Sequence, residues 1–182
     1  KECVKDGKSA MRWVRTHAAE LGIDPEKILA GGGSAGGHIA AATALVEAFD
    51  EAGEDTSVSC RPQAMVLFNP VFDNGPNGFS HGLVREYWQA ISPIDHIDGN
   101  TPPTFIVLGT KDKYIPAETG RRFERLMAEH GRRCDLHLYE GGEHGFFNLW
   151  VDRNMLAETM IRMDRFLSSL GYLEGEPVLV LY

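Results

Sequence analysis

Three residues of this sequence have the types that a nucleophilic serine mechanism needs, and each lies in a short turn-prone stretch. Gly32, Ser34 and Gly36 fill the fixed positions of a G-x-S-x-G elbow inside KILAGGGSAGG (27–37). A hydroxyl so placed is a weak nucleophile until a base removes its proton, and His144, within GGEHGFFN (141–148), is the candidate base. Asp112, within LGTKDKYIP (108–116), is the candidate group to orient that imidazole and stabilise its cation. The glycines at 32, 33, 36 and 37 are read as relieving crowding at a strained strand-to-helix turn. The amide of Ala35 then opens a helix, where it can donate to a developing oxyanion. A phosphate cradle is the rival use of such glycines, but there is no G-x-x-x-x-G-K-[ST] and no dinucleotide fingerprint with its acid.

The elements that would hold these residues alternate along the chain. An amphipathic helix is predicted over Asp6–Leu21, closed by Gly22, and a short buried strand at Ile28–Ala30 leads into the elbow. An alanine-rich helix follows over His38–Phe49, then a polar loop from Asp50 to Pro62. Further strands are predicted at Gln63–Phe68, Thr104–Gly109 and Cys134–Tyr139, with helices at Ala117–Glu129 and Asn154–Leu170. Such alternation predicts an α/β fold, a parallel sheet with helices on both faces. Residues 71–100 are irregular and rich in Gly, Pro and aromatics, and read as a cap or substrate loop. Pro177–Tyr182 reads as a closing β-prone segment.

In an open parallel sheet, functional groups gather beyond the carboxyl ends of the strands, and Ser34, Asp112 and His144 each follow a different strand. Asp73 and Asp95 are rival acids, and Asp112 is also suited to capping the helix that starts near Ala117. His38, one turn into its helix, reads as a packing or hydrogen-bonding residue. Gly33, Phe72, Trp88, Tyr114 and Phe146 are the candidate substrate contacts, with local core as the alternative for the aromatics.

Composition narrows the classes. A 182-residue chain with 43% hydrophobic and 24% charged residues is long enough for one domain with a sizeable core. A net charge of −8 with no basic cluster argues against nucleic-acid binding, and no apolar stretch reaches spanning length. The three cysteines are widely spaced and the seven histidines form no ligand motif, so neither metal nor cofactor is expected.

GGSAGGH (32–38), LGTKDKYIP (108–116) and GGEHGFFN (141–148) together resemble the nucleophile, acid and histidine motifs of α/β-hydrolase esterases, in the family's order Ser, Asp, His. The branches most similar are the hormone-sensitive-lipase-like and the carbohydrate acetyl or feruloyl esterases. DGKSAMRWVRTHAAELGIDPEKI (6–28) is similar to the helix and turn that precede the elbow there, so the resemblance runs over most of residues 6–172. It implies a serine ester hydrolase for short acyl esters, acetyl groups on sugars among them. A serine peptidase of the same fold and a non-catalytic truncated module are the alternatives.

The family also carries upstream strands and an HGG-type loop that supplies the other half of the oxyanion hole. No HGG occurs here, and the chain opens at Lys1 directly into an amphipathic segment, so the resemblance places it as a C-terminal portion of the fold. The strand before Ser34 would then lie at a sheet edge. Such an edge leads us to expect a homodimer, or association with a missing N-terminal segment.

Overall fold

The computed structural model describes residues 1–179. Helix α1 (Glu2–Thr16) and the single turn α2 (Ala18–Leu21) precede strand β1 (Leu29–Gly33) and helix α3 (Ala35–Leu45). Strand β2 (Ala64–Phe68) is followed by an irregular stretch that holds two short helices, α4 (His81–Val84) and α5 (Trp88–Ile91), and a 3-10 turn at Pro93–His96. Strand β3 (Thr104–Gly109), helix α6 (Ala117–Glu129), strand β4 (Cys134–Tyr139) and helix α7 (Arg153–Ser169) complete the chain. The four strands form one parallel sheet in the order β1-β2-β3-β4.

The alternation along each strand sorts the core into two layers. Met65, Leu67, Ile106 and Leu108 point to the face covered by α1, α3 and α6, where they meet Met11, Ala41, Phe123 and Met127. Ala64, Val66, Phe105 and Val107 point to the opposite face, against Phe166 and Met163 of α7. Each large side chain fully buried this way contributes about 1.5–3 kcal/mol. Both faces of the sheet are covered, as the alternating pattern predicts.

Helix α3 begins at Ala35 rather than His38, so Gly36 and Gly37 are helical despite their poor propensity. Close packing accounts for Gly37, where a Cβ would sit 2.7 Å from Pro70 Cβ, and for Gly32 before the turn, where one would sit 2.6 Å from the Gly36 carbonyl carbon. Gly33 and Gly36 meet nothing closer than ordinary contact, which corrects the reading that all four glycines relieve crowding. The helix ends at Leu45, short of Phe49, because Val46 turns to an extended conformation. Lys8, almost fully buried in α1, takes the carbonyls of Glu47 and Ala48 at 3.0 Å each and pairs with Asp50 at 2.9 Å. Arg12 joins the same clasp through Asp50 and Glu54, fastening the 46–61 loop to α1.

Helix α7 opens on Asp152, whose side chain accepts the N–H groups of Asn154 and Met155. Pro177–Leu179 has no regular structure, so the closing segment is not a strand there, and Val180–Tyr182 lies outside the described residues. Among the described residues no helix is long and apolar enough to cross a membrane, and no group of three or more metal-binding side chains occurs.

Candidate active site

All three chemistry-bearing residues emerge at the same end of the sheet, each from the turn after its strand. Ser34 links β1 to α3 at φ 53° and ψ −119°, a left-sided conformation that L residues rarely adopt. The turn lifts its hydroxyl out of the sheet. His144 Nε2 lies 2.9 Å from Ser34 Oγ, and His144 Nδ1 lies 2.7 Å from Asp112 Oδ2. A carboxylate oxygen can only accept, so Nδ1 carries the proton and the Nε2 lone pair faces the serine, whose O–H donates to it.

Asp112 is buried, and its two oxygens have separate tasks. While Oδ2 accepts from His144, Oδ1 accepts the backbone N–H groups of Tyr114 at 2.8 Å and Ile115 at 3.0 Å. The rival acids are engaged elsewhere, because Arg122 holds Asp73 at 2.9 Å and Asp95 at 3.2 Å. Ala35 is exposed at the first position of α3, where no preceding helical carbonyl is available to its N–H. Gly33 is also exposed, at the end of β1 beside Phe68 of β2.

The candidate substrate contacts divide. Tyr114 is 59% exposed and turns its ring edge toward His144 with centroids 5.1 Å apart. Phe72 is 0% exposed and stacked on Phe123 at 4.3 Å, and Phe146 is 1% exposed among Tyr139 and Phe147. Both are buried in the core, and Phe72 also lines the polar cavity described below. In the histidine loop the turn from Glu143 to Phe146 raises His144 and drives Phe146 inward. Trp88 lines a cavity of about 210 Å³ with Asp73, Asn77, Asp95 and Arg122.

Asn69 is a residue whose part the motifs do not reveal. It follows β2 directly, is buried, and has φ 37°. Its Oδ1 accepts the N–H of Ser34 at 2.9 Å and its Nδ2 donates to the carbonyl of His144. One side chain thus ties the elbow to the histidine loop. The available signal was the Asn69-Pro70 pair, which reads as a strand stop and nothing more.

His38 is largely enclosed, and its Nε2–H donates to the carbonyl of Ile91 at 3.0 Å, the hydrogen-bonding role expected of it. Burial lowers its pKa against the opposing pull of that carbonyl.

Two cavities border the irregular stretch that follows β2. One, of about 370 Å³, is mainly apolar and is lined by Ala35, Ile39, Val71, Leu83 and Val84. The other, of about 330 Å³, carries Asp73, Asn77, Lys113, Tyr114 and Thr119. Phe79 and Ser80 belong to both.

Comparison with known proteins bears on the fold and the family. The BD-FAE family model matches residues 1–75, and that of the dienelactone hydrolase family matches residues 77–159. Esterase LipQ of Mycobacterium tuberculosis is 31% identical over 181 residues, covering 86% of this chain and 42% of LipQ. An acetylxylan esterase of Xylanibacter ruminicola is 27% identical over 164 residues, 81% of this chain and 32% of that protein. The chain spans 35–42% of the length of the first curated relatives it matches. The apo form of Thermogutta terrifontis esterase 2 superposes with a TM-score of 0.89 at 44% identity, over 96% of this chain and 67% of that one. At 44% identity over 67% of that esterase, and with the same fold, the chain belongs to the α/β-hydrolase esterase family.

Proposed function

We propose that this chain supplies the nucleophile, base and acid of a carboxylic ester hydrolase for short acyl esters, with acetylated sugars as the substrate class. The observation that carries the reading is the unbroken relay from Ser34 Oγ to His144 Nε2 and from His144 Nδ1 to Asp112 Oδ2. In the first half-reaction Ser34 Oγ attacks the ester carbonyl carbon while Nε2 takes its proton, and the carbonyl oxygen becomes an oxyanion. The N–H of Ala35 donates to that oxyanion. The carbon–oxygen bond to the alcohol then breaks, and the proton on Nε2 passes to the leaving oxygen. Water repeats the sequence on the acyl-enzyme, with His144 again as base, and releases the carboxylic acid.

The sugar portion of the proposal draws on the acetylxylan esterase among the relatives. Residues 71–100 are, in this reading, the cap or substrate loop. A fluorophosphonate probe tests the assignment: it labels Ser34 in the wild-type protein, and Ser34→Ala abolishes the labelling. Labelling that survives the substitution would give the nucleophile to another residue, and wild-type protein that never reacts would favour the non-catalytic module.

A further inference from the structure

The loops that carry Asp112 and His144 leave the sheet side by side, and the way their pairing ends is unusual. Strands β3 and β4 keep parallel register up to Gly109 and Tyr139. The next rung is regular, since the N–H of Thr110 donates to the carbonyl of Tyr139 at 2.9 Å. In a continued parallel ladder the N–H of Gly141 would then go to the backbone carbonyl of Thr110. It goes instead to the side chain, Thr110 Oγ1, at 2.9 Å. One residue further the N–H of Lys111 donates to the carbonyl of Gly142 at 2.9 Å. A Cβ on Gly109 would collide with that same Gly142 carbonyl, so the two loops meet here backbone to backbone.

We propose that Thr110 is a positioning residue, whose hydroxyl oxygen replaces a backbone acceptor at the rung where the ladder ends and thereby spaces the acid loop from the histidine loop. Asp112 lies two residues beyond Thr110, and His144 three beyond Gly141. The 2.7 Å contact between Asp112 Oδ2 and His144 Nδ1 is therefore built directly on this rung. A backbone acceptor would carry the loops onward in sheet register. A side-chain acceptor stands off the main chain, so Gly141 can turn away at φ 75° while its N–H stays bonded. Threonine suits the task because its branched Cβ restricts χ1 and holds the oxygen in place. The consequence for turnover rests on the hydrolase reading given above, whereas the consequence for the Asp112 contact does not.

Asn69 acts across a different gap. Its side chain joins the serine elbow to the histidine loop, while Thr110 joins the acid loop to the histidine loop. The two side chains thus govern opposite nitrogens of one imidazole: Asn69 the approach of Nε2 to Ser34, Thr110 the approach of Nδ1 to Asp112.

Proton NMR and kinetics test the role together. An imidazole N–H held by a buried carboxylate resonates far downfield of the amides, and its loss in Asp112→Asn assigns it to His144. In Thr110→Val, which nearly keeps the shape and removes the acceptor, this resonance moves upfield or broadens through exchange with water. The same variant lowers kcat for p-nitrophenyl acetate about tenfold, a fraction of the roughly 10²-fold cost of a 1 Å displacement, and leaves KM unchanged. Thr110→Ser, which keeps the oxygen, restores both the resonance and kcat. A wild-type resonance and kcat in Thr110→Val would overturn the role. So would a serine variant as impaired as the valine one, because the methyl group would then be what matters. Amide exchange needs no substitution and covers a valine variant that does not fold: the Gly141 N–H of the wild-type protein exchanges slowly, and exchange at the rate of an open loop would overturn the rung. Failure of the hydrolase reading is distinct, since no ester is then cleaved and no probe reacts at Ser34, while the resonance and the amide exchange still report on Thr110.

Discussion

The side-chain oxygen of Asn69 accepts the backbone N–H of Ser34 at 2.9 Å, so the residue after one strand holds the turn after its neighbour. Through its amide nitrogen the same side chain reaches the carbonyl of His144. Asn69→Ala should therefore lower kcat on the order of 10²-fold, as expected when reacting groups shift by about 1 Å, with KM nearly unchanged. Asn69→Asp should do worse, because it sets a second acceptor against the His144 carbonyl. Steady-state kinetics and the rate of fluorophosphonate labelling check this, and an unaltered kcat in both variants would leave Asn69 a packing residue.

The division of Asp112 between two tasks separates it from its rivals. Asp112→Asn should reduce turnover on the order of 10³–10⁴-fold, because an amide facing Nδ1 favours the wrong imidazole tautomer. It should also loosen the Tyr114–Ile115 turn, whose N–H groups depend on the other oxygen. Asp73→Asn and Asp95→Asn, which weaken the Arg122 pairings and, at Asp73, the turn whose Gly75 N–H it accepts, should fall less than about tenfold. A larger loss at either rival would show the acid misassigned.

Stability should decline on mild acidification through His38. Burial places its folded pKa below the ordinary value of about 6.5, so the unfolded chain binds the proton first as pH falls. The stabilisation is fully present above pH ~6.5 and is lost as pH drops toward and through the folded value. Urea midpoints at successive pH values should show this slope, and His38→Gln should flatten it.

The clasp on the 46–61 loop gives a prediction at lower pH and by mutation. Burial works to raise the Asp50 pKa, but hydrogen bonds from Lys8 and Arg12 outweigh it and hold the carboxyl below its ordinary value. Its contribution is present above pH ~4 and is lost as pH falls through the depressed folded value. Asp50→Ala should destabilise the fold by about 3 kcal/mol, since it leaves Lys8 buried without its counter-charge. Equilibrium urea denaturation at neutral pH measures the difference.

Strand β1 has β2 on one side and no second strand among the described residues. An edge of unpaired backbone groups invites pairing, so the chain is expected in solution as a dimer, a swapped assembly or a complex with a further polypeptide segment. Light scattering coupled to size exclusion reads the mass directly, and a monodisperse species of single-chain mass would refute the expectation.

How much could be read beforehand depended on how local the determinant was. The bounds of β3, α6 and β4 agree with the sequence pattern because their apolar periods are uninterrupted and turn residues flank them. The serine, aspartate and histidine loops were legible as motifs, each tied to a strand end. For Phe72 and Phe146 the orientation was not legible, because an aromatic in a loop has no period to say which way it faces; both turn inward. Lys8 shows the opposite difficulty: its buried charge depends on carbonyls 39 and 40 residues away, which no local window contains. Asn69 is illegible for the same reason, since its partners lie 35 and 75 residues distant.

The strands stand in the sheet in the order in which they occur in the chain, and each hands one group to the cluster at their carboxyl ends. Ser34 comes after the first, Asn69 after the second, Asp112 after the third and His144 after the fourth. A chain that has docked three strands has its serine, its brace and its acid, yet its hydroxyl is still an ordinary alcohol because the base arrives with the last. With Ser34 as nucleophile and His144 as base, as proposed above, reactivity toward an electrophilic probe should start later than burial of the core when the unfolded chain is returned to native conditions.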